Sequence, residues 1–86
     1  MILNNYDVTL AIKIDNELEA AKRHGGFNSL HEAYSVILEE LDEIWDITKL
    51  KKKDRDANEI KKELIQLAAM AIKAYNSVEN FVGGKV

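Results

Sequence analysis

Six acids lie between Arg23 and Lys49 with no Lys or Arg among them: Glu32, Glu39, Glu40, Asp42, Glu43 and Asp46. Five of them crowd into Glu39-Glu40-Leu41-Asp42-Glu43-Ile44-Trp45-Asp46. On a helix, like charges three or four apart, such as Glu39 with Glu43 and Asp42 with Asp46, each cost about 0.2–0.5 kcal/mol. A helix built for stability alone would interleave lysines. Winding the segment at roughly 100° per residue puts Ala33, Val36, Ile37, Leu41, Ile44 and Ile47 on one apolar arc. Glu40 falls inside that arc and Glu43 on its edge, while Glu39, Asp42 and Asp46 project toward solvent. On the next apolar segment Ile60, Leu64, Leu67, Ala71, Ala74 and Val78 form the stripe, with Glu63 at its margin and Glu59 and Gln66 bordering it.

An unpaired buried carboxylate costs several kcal/mol unless a cation or hydrogen bonds compensate it. No Lys or Arg lies within one turn of Glu40 along its own helix. Its compensation must come from another helix, another subunit or a bound cation, or its pKa must rise. Two helices bringing Glu40, Glu43 and Glu63 together would make an all-oxygen site, which suits Mg²⁺ or Mn²⁺ rather than zinc.

The elements that must position these acids are helices. The chain has 86 residues, no Pro and four Gly, the latter in the pairs Gly25-Gly26 and Gly83-Gly84. Asp7 can cap a first helix running to about residue 24, with Leu10, Ala11, Ile14, Leu18 and Ala21 on one stripe. After the loop Gly25-Gly26-Phe27-Asn28, the capping box Ser29-Leu30-His31-Glu32 starts a second helix that runs to about residue 50. The charged connection Lys51-Lys52-Lys53-Asp54-Arg55-Asp56 leads to a third, from about 57 to 80. The middle of that third helix is apolar almost all the way round, which calls for burial on more than one side.

The fold expected is all-α: three main helices in one domain over residues 1–82, completed as a bundle by homo-oligomerisation into a dimer or a dimer of dimers, with a flexible tail at 83–86. A domain this short buries only about 60% of its unfolded surface, so a second subunit would help. Twelve basic against fifteen acidic residues leave a net charge of −3, which argues against a nucleic-acid coat. Without Cys there is no disulfide framework, thiolate nucleophile or Cys-based zinc site. The N-terminus lacks the basic start and apolar run of a signal peptide, and no stretch approaches a membrane span, so a cytoplasmic location is expected. Neither His24 nor His31 stands in the Glu-x-x-His pairing of a di-iron bundle, and the Gly pairs form no Walker-type loop.

The run His31-Glu32-Ala33-Tyr34 through Val36-Ile37-Leu38-Glu39-Glu40-Leu41-Asp42-Glu43-Ile44-Trp45-Asp46, followed by Lys62-Glu63-Leu64-Ile65-Gln66-Leu67-Ala68-Ala69-Met70-Ala71, resembles small MazG-like proteins of the all-α nucleoside triphosphate pyrophosphohydrolase superfamily. The resemblance covers about residues 27 to 75. The family's metal motif is Glu-Glu-x-x-Glu on one helix and Glu-x-x-Asp on the next. Glu39-Glu40-Leu41-Asp42-Glu43 matches the first in full. In the second, Glu63 is present but Gln66 stands where an acid is expected.

The resemblance implies Mg²⁺-dependent cleavage of a nucleoside triphosphate between its α and β phosphates, releasing monophosphate and pyrophosphate. It makes Glu40, Glu43 and Glu63 metal ligands, with Gln66 offering an uncharged amide oxygen. Glu39 is the next candidate, as a ligand or as an acceptor that orients water. Lys53 and Arg55 in the basic connection could meet the triphosphate, although such runs are commonly solvated loops. Phe27 reads as core or loop packing and Trp45 as packing or an interface. The second function class is a non-catalytic helical module that keeps the fold and a metal or nucleotide site, which Gln66 favours.

Overall fold

The computed structural model describes residues 8–83. They form three α-helices, α1 (Val8–Lys22), α2 (Leu30–Thr48) and α3 (Ala57–Asn76), and the single-turn 3₁₀ helices Lys52–Asp54 and Val78–Asn80. No strand occurs among the described residues, and no helix is long and apolar enough to cross a membrane. The cap expected at Asp7 and the tail beyond Gly83 lie outside the described residues.

The start of α2 follows from its capping box. Ser29 is extended (φ −151°, ψ 160°), and its Oγ accepts from the Glu32 backbone N–H at 3.0 Å. Glu32 Oε1 in return accepts from the backbone N–H of Asn28, one residue before the cap, at 2.7 Å. At the other end Arg55 reaches back, its Nη2 donating to the Thr48 carbonyl at 2.8 Å and its Nε to that of Leu50 at 3.2 Å. The guanidinium satisfies carbonyls that a helix end leaves unpaired, which gives Arg55 a structural task beside the phosphate contact expected of it. Asp56 caps α3, its Oδ1 accepting from Asn58 N at 2.9 Å.

The glycine pair in the α1–α2 loop has a specific reason. Gly25 takes φ +73°, a left-handed conformation that side chains disfavour. Gly26 lies so close to α3 that an added Cβ would stand 2.9 Å from Ser77 Oγ. Beyond them Phe27 is buried, with Lys73 Nζ 4.5 Å from its ring centroid. The Phe27 N–H donates to Ser77 Oγ at 3.0 Å, Ser77 Oγ donates to the Lys73 carbonyl at 2.7 Å, and Asn80 Nδ2 donates to the Phe27 carbonyl at 2.9 Å. This knot pins the start of α2 to the end of α3. The two helices therefore run antiparallel, and the middle of α2 lies opposite the first half of α3.

α3 is the central helix, packing on α2 along one side and on α1 along another. That position accounts for part of its all-round apolar character. It ends at Asn76 rather than near 80, because Ser77 leaves the helical region (φ −103°, ψ 4°) and the chain tightens into the 3₁₀ turn. The expected stripes are only half used. Leu41, Leu64, Ala71 and Val78 are exposed, since α2 packs chiefly on α3, and the two helices that flank α3 leave part of its apolar arc uncovered. The buried apolar residues are Phe27, Ala33, Ile47 and Ala69, and no large side chain is fully buried among the described residues.

Replacing Ser77 by Ala leaves the buried Phe27 N–H without its acceptor and is expected to lower stability by about 1–3 kcal/mol. Gly26→Ala is expected to destabilise as well, because its new Cβ meets an oxygen held in place by two hydrogen bonds. The Gly26→Ala/Ser77→Ala pair should cost less than the sum of the single changes, since removing Oγ removes the clash. Urea unfolding of the four proteins measures all three quantities; strict additivity would contradict the contact.

Candidate metal centre

Glu40 and Glu43 sit one turn apart on α2, and Glu63 faces them from α3. One carboxylate oxygen from each lies within 4.8 Å of those of the other two. Oxygens around one Mg²⁺ stand roughly 3–4 Å apart at metal–oxygen distances of about 2.1 Å, so small side-chain rotations close this trio on a cation.

The order of burial differs from the sequence expectation. Glu40, placed inside the arc, is half-buried; Glu43, placed at its edge, is exposed; Glu63, placed at a margin, is buried at 7% exposure. The cause is the layout of the helices. α3 is flanked on two sides and α2 on one, so a marginal position on α3 is more enclosed than a central one on α2.

Glu63 Oε2 is buried and accepts no hydrogen bond. The cross-helix Lys or Tyr partner that would satisfy an inward carboxylate is missing among the described residues, where the ion pairs are Lys22–Glu19 and Lys49–Asp46, both at the surface. The Glu63 carboxyl is pushed up to about 7, first by a hydrogen bond shared with Glu43, then by burial and the charges of Glu43 and Glu40; Lys62 acts weakly the other way. Glu40 is raised too, by burial first and then by Glu43, Glu39 and Glu17. Both shifts favour the protonated form of these carboxyls, which relieves the repulsion within the trio.

Glu40 and Glu43 line an open cleft of about 640 Å³ whose walls come from all three helices, while Glu63 lies outside its lining. Glu39, Glu40, Asp42, Glu43 and Val36 line it from α2, Gln66, Met70 and Lys73 from α3, and Glu17, Ala20 and Ala21 from α1, with His24 just beyond. Glu39 and Gln66 are thus in the cleft wall, beside the trio and outside it. Lys53 and Arg55 are not in that wall.

Glu17 and Lys73 are cleft residues that the sequence reading missed. Glu17 shares an interior stripe with Leu10, Ile14 and Ala21 at spacings of three, four and seven, which was a usable signal. Lys73 is the single charged residue of α3 after Glu63, and its isolation there was the clue. A second groove, lined by Lys13, Asn16, Asn58, Lys61 and Lys62, adjoins the first through Glu17 and Ala20 and places lysines beside the acids.

The chain matches no known family model, no curated protein and no solved structure.

The raised carboxyls set a direction for metal-free stability. A group whose folded pKa lies above its unfolded value stabilises the fold below the unfolded value and loses that contribution as pH rises through the folded one. For Glu63 that window runs from 4.5 to about 7. In chelator, the melting temperature of the parent is expected to fall between pH 5 and pH 8 more steeply than that of Glu63→Gln (about these pH values, the two limits of the titration). Parallel pH profiles would contradict the shift.

Proposed function

We propose that this chain is a Mg²⁺- or Mn²⁺-dependent nucleoside triphosphate pyrophosphohydrolase of the MazG-like kind, working as a homo-oligomer. The observation that carries this reading is Glu63, a buried carboxylate with one unpaired oxygen, whose carboxylate has an oxygen within 4.8 Å of one from each of Glu40 and Glu43. An acidic cluster on a surface needs no ligand. A cluster whose deepest member keeps one oxygen unpaired is short of positive charge, and a divalent cation with hard-oxygen preference is the group that fits the donor set.

In this reading Glu40, Glu43 and Glu63 hold the metal, with the Gln66 amide oxygen at hand in the cleft wall. When bound, the ion supplies charge screening at the phosphates and a water of lowered pKa. Glu39 projects from the same wall, where its carboxylate accepts a hydrogen bond from the attacking water and orients it. Lys73 is the cleft's cation and takes the phosphate contact expected of Lys53 and Arg55. Val36, Met70, Ala20 and Ala21 offer an apolar lining for a base or sugar, and about 640 Å³ is within the range of small-ligand sites.

Gln66 favours a second reading, in which the fold and a weak metal or nucleotide site persist without turnover. Its amide brings no charge where the resemblance expects an acid. Pyrophosphate release from a panel of ordinary and modified nucleoside triphosphates separates the two. The proposal expects metal-dependent release, abolished by chelator. Loss of an outer-shell partner typically costs 10–100-fold, so Glu40→Gln or Glu63→Gln is expected to cost more than roughly 100-fold while the variant stays folded. Absence of release from every nucleotide would contradict the enzyme reading.

Metal binding itself has a separate readout. At pH about 8, where the carboxyls have lost most of their protons, millimolar Mg²⁺ or Mn²⁺ is expected to raise the melting temperature of the parent, following RT ln(1 + [L]/Kd). Gln66→Glu should enlarge the shift by adding a charged ligand, and Glu63→Gln should remove it. No shift in the parent would count against the metal centre.

A further inference from the structure

The face opposite the acidic cleft is apolar and uncovered. On α2, Leu30, Tyr34, Leu38, Leu41 and Trp45 are exposed by 62, 61, 40, 46 and 57%. The spacing of four, four, three and four gathers them on one stripe, and from Tyr34 onward it is the repeat of a helix-packing seam. On α3, Leu64, Ala71 and Tyr75 are exposed in the same manner, with Ile72 beside them.

The two stripes lie on the same side of the molecule. On both helices the cleft residues, Glu43 on α2 and Gln66 on α3, wind to one side of the line along which the helices touch. The apolar stripes wind to the other side, and because the helices are antiparallel both turn toward one face. That face meets none of the carboxylate trio.

We propose that this face is where a second copy of the chain docks, α2 and α3 of each copy closing a four-helix bundle with its acidic clefts turned outward. Three observations favour a second copy over other occupants. First, the core of the single chain is small, with only Phe27, Ala33, Ile47 and Ala69 as buried apolar residues among those described, so a bundle closed by pairing would bury most of the large apolar side chains that ordinarily supply stability. Second, at roughly 200 Å² for a fully exposed large side chain, the exposed fractions of Leu30, Tyr34, Leu38, Leu41, Trp45, Leu64, Ile72 and Tyr75 come to on the order of 900 Å². One partner in a stable interface contributes about 800 Å². Third, from Tyr34 to Trp45 the exposed stripe of α2 keeps the four, three, four spacing by which helices of like sequence pack on one another. A two-fold axis parallel to the helices lays α2 of one copy along α3 of the other, antiparallel, as in closed helical bundles.

This inference specifies the homo-oligomer of the proposed function and is independent of the metal reading, whose test is the melt described above. Trp45 is the chain's single Trp and stands on the face, so the unmodified protein reports on it. Sedimentation equilibrium at micromolar concentration is expected to give twice 9.8 kDa, with Trp45 emission at short wavelength that moves red on dilution as the mass falls. Leu41→Arg is expected to weaken pairing roughly 30-fold or more with helical circular dichroism retained, whereas Ile12→Arg, on α1 away from the face, leaves pairing unchanged. If Leu41→Arg does not fold, the dilution series on the parent still decides. A monomer mass at every concentration overturns the proposal. So does a dimer whose Trp45 emission stays that of an exposed indole, which would put the contact elsewhere, and so does loss of pairing when residues 1–7 are removed.

Discussion

The structure turns on one electrostatic fact, the enclosure of Glu63 against Glu40 and Glu43. Three carboxylates with oxygens within 4.8 Å repel one another when all are ionised, and among the described residues no Lys or Arg forms an ion pair with them. The protein is left with two ways to neutralise the cluster, a shared proton or a bound cation. The raised carboxyls of Glu40 and Glu63 are the first of these, and the proposed metal centre is the second. What holds the cluster in this costly arrangement is remote from it. The Phe27, Ser77 and Asn80 hydrogen bonds lock the start of α2 to the end of α3, and that lock sets which turn of α2 meets Glu63.

The molecule has two unlike faces. One carries the cleft, lined by acids of α1 and α2 and by Lys73 of α3. The other carries a sheet of exposed leucines and aromatics on α2 and α3. A side chain on these helices serves one face or the other, since both flank the same thin helix–helix contact. This division explains why so few residues are buried in the single chain. The apolar residues that α3 suggests as interior are spread between the cleft wall and the exposed face.

Much of this was legible in the residues. The Ser29 capping box, the Gly pair and the basic connection marked the breaks between helices, because each rests on local backbone chemistry that tertiary packing leaves alone. The trio of Glu40, Glu43 and Glu63 was legible because helical winding ties spacing to direction. The order of burial within the trio was not, since it depends on how many neighbours each helix has, and periodicity does not count neighbours. Glu17 was legible by its place on the interior stripe of α1, but what that stripe faces became visible only with α1 laid along the cleft. Arg55 was read by its charge alone, while the end of α2 supplied it with carbonyls to satisfy.

The claim at the centre is that a cation takes the place of a proton among Glu40, Glu43 and Glu63. Crystals grown with Mn²⁺ above neutral pH and measured for anomalous scattering test it most directly. The account expects a peak bounded by oxygens of all three carboxylates, with Glu63 Oε2 among its ligands. Ordered carboxylates hydrogen-bonded to one another with no anomalous peak, at a Mn²⁺ concentration that supports binding elsewhere, would contradict it.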